Sequence, residues 1–292
     1  MRILIISNVF YPESFRINDL AFYLSNKGHE VSILTQIPSY GKGKYFKNYS
    51  LFKKKIETYK NIKIYRCFST PRGNGNIFLF INYFTFIFGS LIASLFFINK
   101  KIDKIFIFQT SPITVAIPAI FLKFIKKVPI CMWVLDLWPE SIYAASNKKL
   151  KFLSYIILPL VKFIYNKTDL ILISSKGFLN SIIKKNIKSN KIKYFPQWSE
   201  DIFDNKIEQQ LFKLNLKFLS KNSLKIMFAG NIGNSQDFPS ILNAATYLNS
   251  LRKIKVDWII VGDGRKFKWL KNEVKKKNLN QNFHLLGAKS LN

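Results

Sequence analysis

The sequence predicts an α/β protein made of two Rossmann-like lobes, the second of them incomplete. Three observations predict it. Short apolar runs alternate with segments of helical spacing. The runs end at polar or glycine-bearing loops. The alternation occurs twice, on either side of a polar, lysine-rich stretch.

Arg2–Ser7 is an apolar run that stops at a polar loop, as a strand buried on both faces does. Ile17–Lys27 places Leu20, Ala21 and Leu24 at helical spacing, and Gly28 ends it. Glu30–Thr35 is the next strand, which closes a βαβ unit. Strands are then predicted at Lys63–Cys67, Lys104–Gln109, Pro129–Leu135, Leu170–Ser174 and Lys191–Phe195. Helices are predicted at Pro112–Ile125, with Ser111 as N-cap, and at Lys149–Asn166 and Lys176–Lys185. Residues 1–200 thus form the first lobe, and 201–222 read as a linker with some helix. From 223 to 292 the alternation restarts. Leu224–Ala229, Lys255–Val261 and Asn282–Leu286 are strands, and Pro239–Leu251 and Arg265–Lys277 are helices. Three strands are few for such a sheet, which usually has five or six. Two such lobes imply a cleft between them.

Ile77–Ile98 is a stretch of 22 residues without a charge. Its length admits a transmembrane helix. Strand candidates lie on both sides of it, however, and strands of one sheet cannot be separated by a membrane. Asn82, Thr85, Gly89, Ser90 and Ser94 also dilute it. Three readings stand: a span, a buried Rossmann helix, or a helix in the membrane interface flanked by Arg72 and Lys100-Lys101.

Net charge is +30, from 46 basic and 16 acidic residues. It is spread evenly, at +21 over residues 1–200 and +9 over 201–292. Only 6 of the cations are arginine, as an AT-rich coding bias gives. No nucleic-acid recognition motif accompanies the charge, so nucleic acid is not the expected partner and an anionic membrane surface is. Cys67 and Cys131 form no disulfide framework, and no Cys/His spacing fits a zinc site. His29 and His284 leave little room for histidine catalysis. The N-terminal apolar run is too short for a signal peptide, which places the chain in the cytoplasm.

Four loops follow predicted strands, where open α/β sheets bind their ligands. In Asn8–Asp19, Arg16 offers a fork of donors to an anion and Asn18 both donates and accepts. The alternative is a helix-capping loop. Asp136-Leu137-Trp138-Pro139-Glu140-Ser141 sets two carboxylates beside an indole that can stack on a sugar. The alternative there is a core Trp138 and a helix-capping Glu140. Ala229–Asp237 and Val261–Arg265 each join a strand to a helix through glycines, which let backbone N–H groups approach a diphosphate. Asp263 also suits a simple helix cap.

Together these segments resemble glycosyltransferase family 4. The resemblance rests on Gly28-His29-Glu30-Val31, Thr168-Asp169-Leu170-Ile171 with Ser174-Ser175, Phe195–Asp201, Phe228–Gly233 and Val261–Arg265. Tyr11-Pro12-Glu13 with Arg16–Asp19, Gln109–Thr114 and Asp136–Ser141 resemble its WbuB/WcaI type, bacterial transferases of O-antigen, capsule and colanic-acid synthesis. The resemblance implies a GT-B fold and metal-independent, retaining transfer without a cofactor. It implies a UDP-linked N-acetylated amino sugar as donor and a polyprenyl-diphosphate-linked saccharide as acceptor. It places Asp136 and Glu140 in catalysis and Arg16, Asn18 and Trp138 at the acceptor. The donor falls to Gly230, Asn231, Gly233, Gln236, Asp237, Gly262, Asp263, Gly264 and Arg265. No metal ligand is implied. The chain departs from many members in carrying Phe15-Arg16 for a Gly-Gly pair and Asp136 for a histidine. It also has Asn231 and Gln236 where many members carry Arg and Lys. The family continues about a hundred residues beyond Gly287, through a Glu-x7-Glu motif, so a truncated or split enzyme is expected, peripheral on the inner face of the cytoplasmic membrane; the alternative is an inactive fragment that retains only acceptor or membrane binding.

Overall fold

In a computed structural model of the chain, residues 1–40, 43–53, 55–73, 75–98, 101–145, 151–199, 219–251 and 253–289 are described. They divide into two compact units. One comprises Met1–Tyr143 and Lys149–Trp198, the other Ala144–Lys148 and Ser199–Asn292.

The first unit is organised by β1 (Arg2–Ser7), whose Leu4, Ile5 and Ile6 are fully buried. Both faces of this strand are covered, which is why its sequence is continuously apolar rather than alternating. β2 (Glu30–Gln36) and β5 (Lys104–Gln109) pair with it in parallel on either side. The full order is β3-β4-β2-β1-β5-β6-β7-β8, with β3 (Ile56–Tyr59), β4 (Ile62–Cys67), β6 (Ile130–Val134), β7 (Leu170–Ile173) and β8 (Ile192–Tyr194). Only β3 runs antiparallel. The chain winds outward one way from β1 and the other way from β5. The topological switch point therefore lies between these two strands.

Helices cover both faces. α1 (Arg16–Asn26) buries Ile17 and Ala21 against one. Gly28, at φ +81°, then closes the helix as its sequence predicts, donating from its N–H to the Ser25 carbonyl. The same face is finished by aromatics that follow β8. Trp198 stacks on Trp133 at 5.4 Å, and the Trp133 indole donates to the Phe195 carbonyl at 3.0 Å. The other face carries α2 (Asn76–Phe96), α3 (Ile117–Lys126), α5 (Lys151–Lys167) and α6 (Phe178–Ile183); α4 (Glu140–Ala145) is short. α2 packs along β2 and β4 of a sheet that continues with β5. Among the three readings of Ile77–Ile98, the span is therefore replaced by a helix lying on the sheet.

Two further expectations change. Ser111 does not cap a helix. A 3-10 turn, Ile113–Ala116, precedes α3, and the Ser111 hydroxyl bonds elsewhere. β3 was not predicted. It reaches β4 through Lys60-Asn61, both at positive φ (48° and 63°), as a two-residue hairpin of mirror-image type requires.

The second unit has a parallel sheet in the order β11-β10-β9, from β9 (Leu224–Ala229), β10 (Val256–Val261) and β11 (Phe283–Gly287). α7 (Phe238–Leu251) and α8 (Phe267–Lys276) bury Leu242, Ala245, Leu270 and Val274 against Val256, Trp258 and Ile260. Most of the expected linker, 201–218, lies outside the described residues.

Candidate functional site

In the first unit the strand ends β1, β5 and β6 converge at the switch point through four polar side chains. Asn8, just past β1, donates from Nδ2 to the Ser111 carbonyl at 3.0 Å. Its Oδ1 accepts from the Thr110 hydroxyl at 2.9 Å. The Ser111 hydroxyl donates to Asp136 Oδ2 at 2.8 Å and accepts from the Trp138 indole N–H at 3.2 Å. Asp136 is thus held at one oxygen, while Oδ1 has no partner among the described residues. A half-buried carboxylate with one oxygen fixed and one available is built to accept a hydrogen bond from a hydroxyl. Asn8, Thr110 and Ser111 were not singled out as site residues. The available signals were position, since Asn8 and Thr110 directly follow predicted strands, and the Gln109–Thr114 motif that contains Thr110 and Ser111.

Trp138 differs from its expected role. It is 9% exposed and belongs to the core cluster, so its ring is not a face open to a sugar. What it supplies is the N–H that orients Ser111. Glu140, at the start of α4, points to α6 rather than to Asp136's partners. Its Oε1 accepts from Lys185 Nζ at 2.6 Å and from the Ser181 hydroxyl. Burial alone would raise this carboxyl. Lys185 and Ser181 outweigh it and hold the group below its ordinary value. Lys185 is itself buried, so the pair is also part of the packing.

In the first loop, the buried Glu13 accepts from the backbone N–H groups of Ser39 and Tyr40 at 2.8 and 2.7 Å. Burial raises its pKa, against those N–H groups and Arg66. Asn18 donates to the Glu13 carbonyl at 2.7 Å, and its own Oδ1 is buried without a partner. Arg16 reaches Asp19 at 3.4 Å on α1. The loop is therefore braced from within, and Arg16 and Asn18 both belong to the first turn of α1.

In the second unit the two glycine motifs form one structure. The Gly230 N–H donates to the Val261 carbonyl, that of Ile232 to the Asp263 carbonyl and that of Lys266 to the Ile232 carbonyl, at 2.9–3.0 Å. Side-chain bulk cannot enter this seam. A Cβ on Gly262, at φ +144°, would lie 1.8 Å from the Gly230 carbonyl oxygen, and one on Gly264 would lie 2.3 Å from that of Ile232. Gly233 is crowded likewise, with a Cβ falling 2.8 Å from the Asn231 amide nitrogen. Several polar side chains expected at the donor also serve the loops. Gln236 Oε1 accepts from the Gly233 N–H at 3.1 Å, Asp237 from the Ser240 hydroxyl at 2.6 Å and Asp263 from the Gly264 N–H at 2.7 Å. Asn231 and Arg265 are exposed. Arg265 makes no hydrogen bond or ion pair with a described residue, which leaves its guanidinium available to an anion. Among the described residues no group of three His, Cys, Asp or Glu could hold a metal ion.

These two α/β units, with ligand-type loops at the strand ends, have the GT-B fold. Solved structures bear this out. The chain superimposes on Anabaena HepE in complex with UDP and glucose at a TM-score of 0.65, with 12% identity over 99% of this chain and 70% of that one. WaaG, a glycosyltransferase involved in lipopolysaccharide biosynthesis, gives 0.63 with 12% identity over 99% and 70%. In sequence, the chain is similar to WcaI of Escherichia coli K12, named as a colanic acid biosynthesis glycosyl transferase. The two are 23% identical over 281 residues, which are 90% of this chain and 66% of the length of WcaI. No protein-family model matches the chain.

Proposed function

We propose that this chain carries the donor and acceptor sites of a retaining glycosyltransferase of cell-surface polysaccharide synthesis. The donor is a UDP-linked N-acetylated amino sugar, and the acceptor is a saccharide on a polyprenyl diphosphate. The observation that carries the reading is the interlocked pair of glycine loops, Gly230–Asp237 and Gly262–Arg265, at the ends of β9 and β10. The loops lead into α7 and α8 with the exposed Arg265 beside them, an arrangement that suits a diphosphate. HepE was solved with UDP, and WaaG and WcaI are named for saccharide assembly, which supports the same direction. On the acceptor side Asp136 accepts a hydrogen bond from the attacking sugar hydroxyl, Ser111 holds that carboxylate in place, and Arg16 binds polar groups of the acceptor while Asn18 braces the loop beside it. Glu140 acts through Lys185 as a charge next to this loop. No metal enters the scheme.

A second reading is binding without turnover. The glycine loops favour it, because Gln236, Asp237 and Asp263 bond within the loops rather than being left to a donor sugar. The test is release of UDP from a panel of UDP-sugars in the presence of a polyprenyl-diphosphate-linked acceptor. Turnover that survives EDTA supports the transferase. Saturable UDP binding without turnover selects the second reading, and absence of both refutes the donor assignment.

A further inference from the structure

α2 is amphipathic in the inverse sense. Its buried stripe is small and polar: Asn82, Gly89, Ser90, Ala93 and Ser94, with Phe86 as the single large side chain. Gly89 lets the helix touch the chain beneath it, since a Cβ there would lie 2.0 Å from the Phe68 carbonyl oxygen. Asn82 Nδ2 donates to Gln36 Oε1 at 3.1 Å and to the Thr70 carbonyl. The outward stripe is Ile77, Ile81, Phe84, Phe88, Ile92 and Leu95, repeating every three or four residues, each at least 40% exposed. A helix on a water-facing surface has the opposite arrangement, polar outward.

The exposed face is large and continuous. Nine large apolar side chains of α2 are at least 40% exposed. Residues of this size leave on the order of 10³ Å² of apolar surface, against the roughly 300–600 Å² of the largest patch on a typical soluble monomer. α3 packs beside α2 and adds Phe124, the most exposed phenylalanine of the helical layer at 85%, and Ile125. An 18-residue stretch within Ile77–Phe96 has a mean hydropathy of 1.9. Yet the helix is held lengthwise on the sheet and cannot leave it to cross a bilayer.

Charge selects the occupant. Exposed Lys101 follows α2, Lys127 ends α3 and Lys167 ends α5, so cations gather at the C-terminal end of the same helical layer. A second copy would bring the same cations and another net +30 against them. An anionic lipid surface satisfies both features: its acyl boundary takes the aromatic stripe and its headgroups take the lysines. From the inverted polarity of α2 and this lysine rim we infer that the α2–α3 face is a monotopic membrane-docking surface, with α2 lying in the plane of an anionic bilayer interface. This does not depend on the transferase reading.

The test is co-sedimentation of the full chain with vesicles of phosphatidylcholine alone or with about 30% phosphatidylglycerol. The wild type is expected to pellet with the anionic vesicles and far less with the neutral ones. The triple variant Phe84→Gln, Phe88→Gln, Ile92→Gln should bind at least tenfold more weakly with an unchanged melting temperature, because all three side chains face outward. Lys101→Glu with Lys127→Glu, which leaves the apolar stripe intact, should weaken binding to anionic vesicles alone. The proposal is overturned if the wild type pellets with neither vesicle. It is equally overturned if both variant sets pellet like the wild type, or if the triple variant only dissolves a dimer seen by sedimentation velocity while its vesicle binding is retained.

Discussion

Asp136 and Glu140 sit four residues apart in one loop, yet the structure gives them different neighbours. Asp136 is fixed through Oδ2 by Ser111 and keeps Oδ1 open. Asp136→Asn keeps the shape and removes the charge, so turnover should fall on the order of 10²-fold, the scale of a positioned acid–base group, while the melting temperature stays close to wild type. Near-normal turnover would remove Asp136 from the chemistry. Glu140→Gln is expected to act first on stability, since it leaves the buried Lys185 ammonium without its counter-charge. Glu140 is partly exposed, so about 2 kcal/mol is expected, below the range of fully buried pairs. The pair also sets a pH dependence. Its carboxyl lies below the ordinary value in the folded chain because Lys185 and Ser181 outweigh burial. The stabilisation is therefore full above the ordinary carboxylate range, near 4, and is lost as pH falls through the lower folded value. Thermal melts of wild type and Glu140→Gln should differ at pH 7 and converge at the acid end. Asp136 was legible in the sequence because it ends an apolar run. The Lys185 partnership was not, since it joins residues 45 apart that no local pattern links.

At the scale of elements, most strands and helices were readable because buried parallel strands are continuous apolar runs and their helices have one apolar stripe. β3 escaped because its four residues, Ile56–Tyr59, lie at the sheet edge with an exposed face, and its hairpin uses Lys60-Asn61 rather than a glycine-bearing pair. Its contribution is nevertheless specific: Glu57 reaches the buried Arg66 of β4, whose guanidinium also donates to the Tyr11 carbonyl of the first loop. The glycine loops were legible as motifs, but their mutual pairing was not. That pairing predicts the effect of a single methyl. Gly262→Ala would drive a Cβ into the Gly230 carbonyl, force the loops apart and cost several kcal/mol, of the order given by strain at a special backbone position. A lowered unfolding temperature with loss of amide protection in β9 and β10, and little change in β1 and β5, is the expected result by hydrogen exchange.

At the scale of the whole molecule, two Rossmann-type sheets place their ligand loops where chain topology reverses or where strands meet helix starts. Composition and alternation were enough to read that plan. The charge was ambiguous in sequence, and its meaning depends on which lysines share a surface with exposed apolar side chains. The central claim is that the second unit binds a nucleoside diphosphate through its paired glycine loops and Arg265. Calorimetric titration of the full chain with UDP tests it most directly, using Arg265→Ala as the control variant, since this exposed side chain makes no bond that the fold needs. The account predicts saturable binding by the wild type, unchanged in Asp136→Asn and in EDTA, and at least tenfold weaker, about 1.4 kcal/mol, in Arg265→Ala at an unaltered melting temperature. Absence of UDP binding by the wild type, or equal affinity in Arg265→Ala, would contradict it.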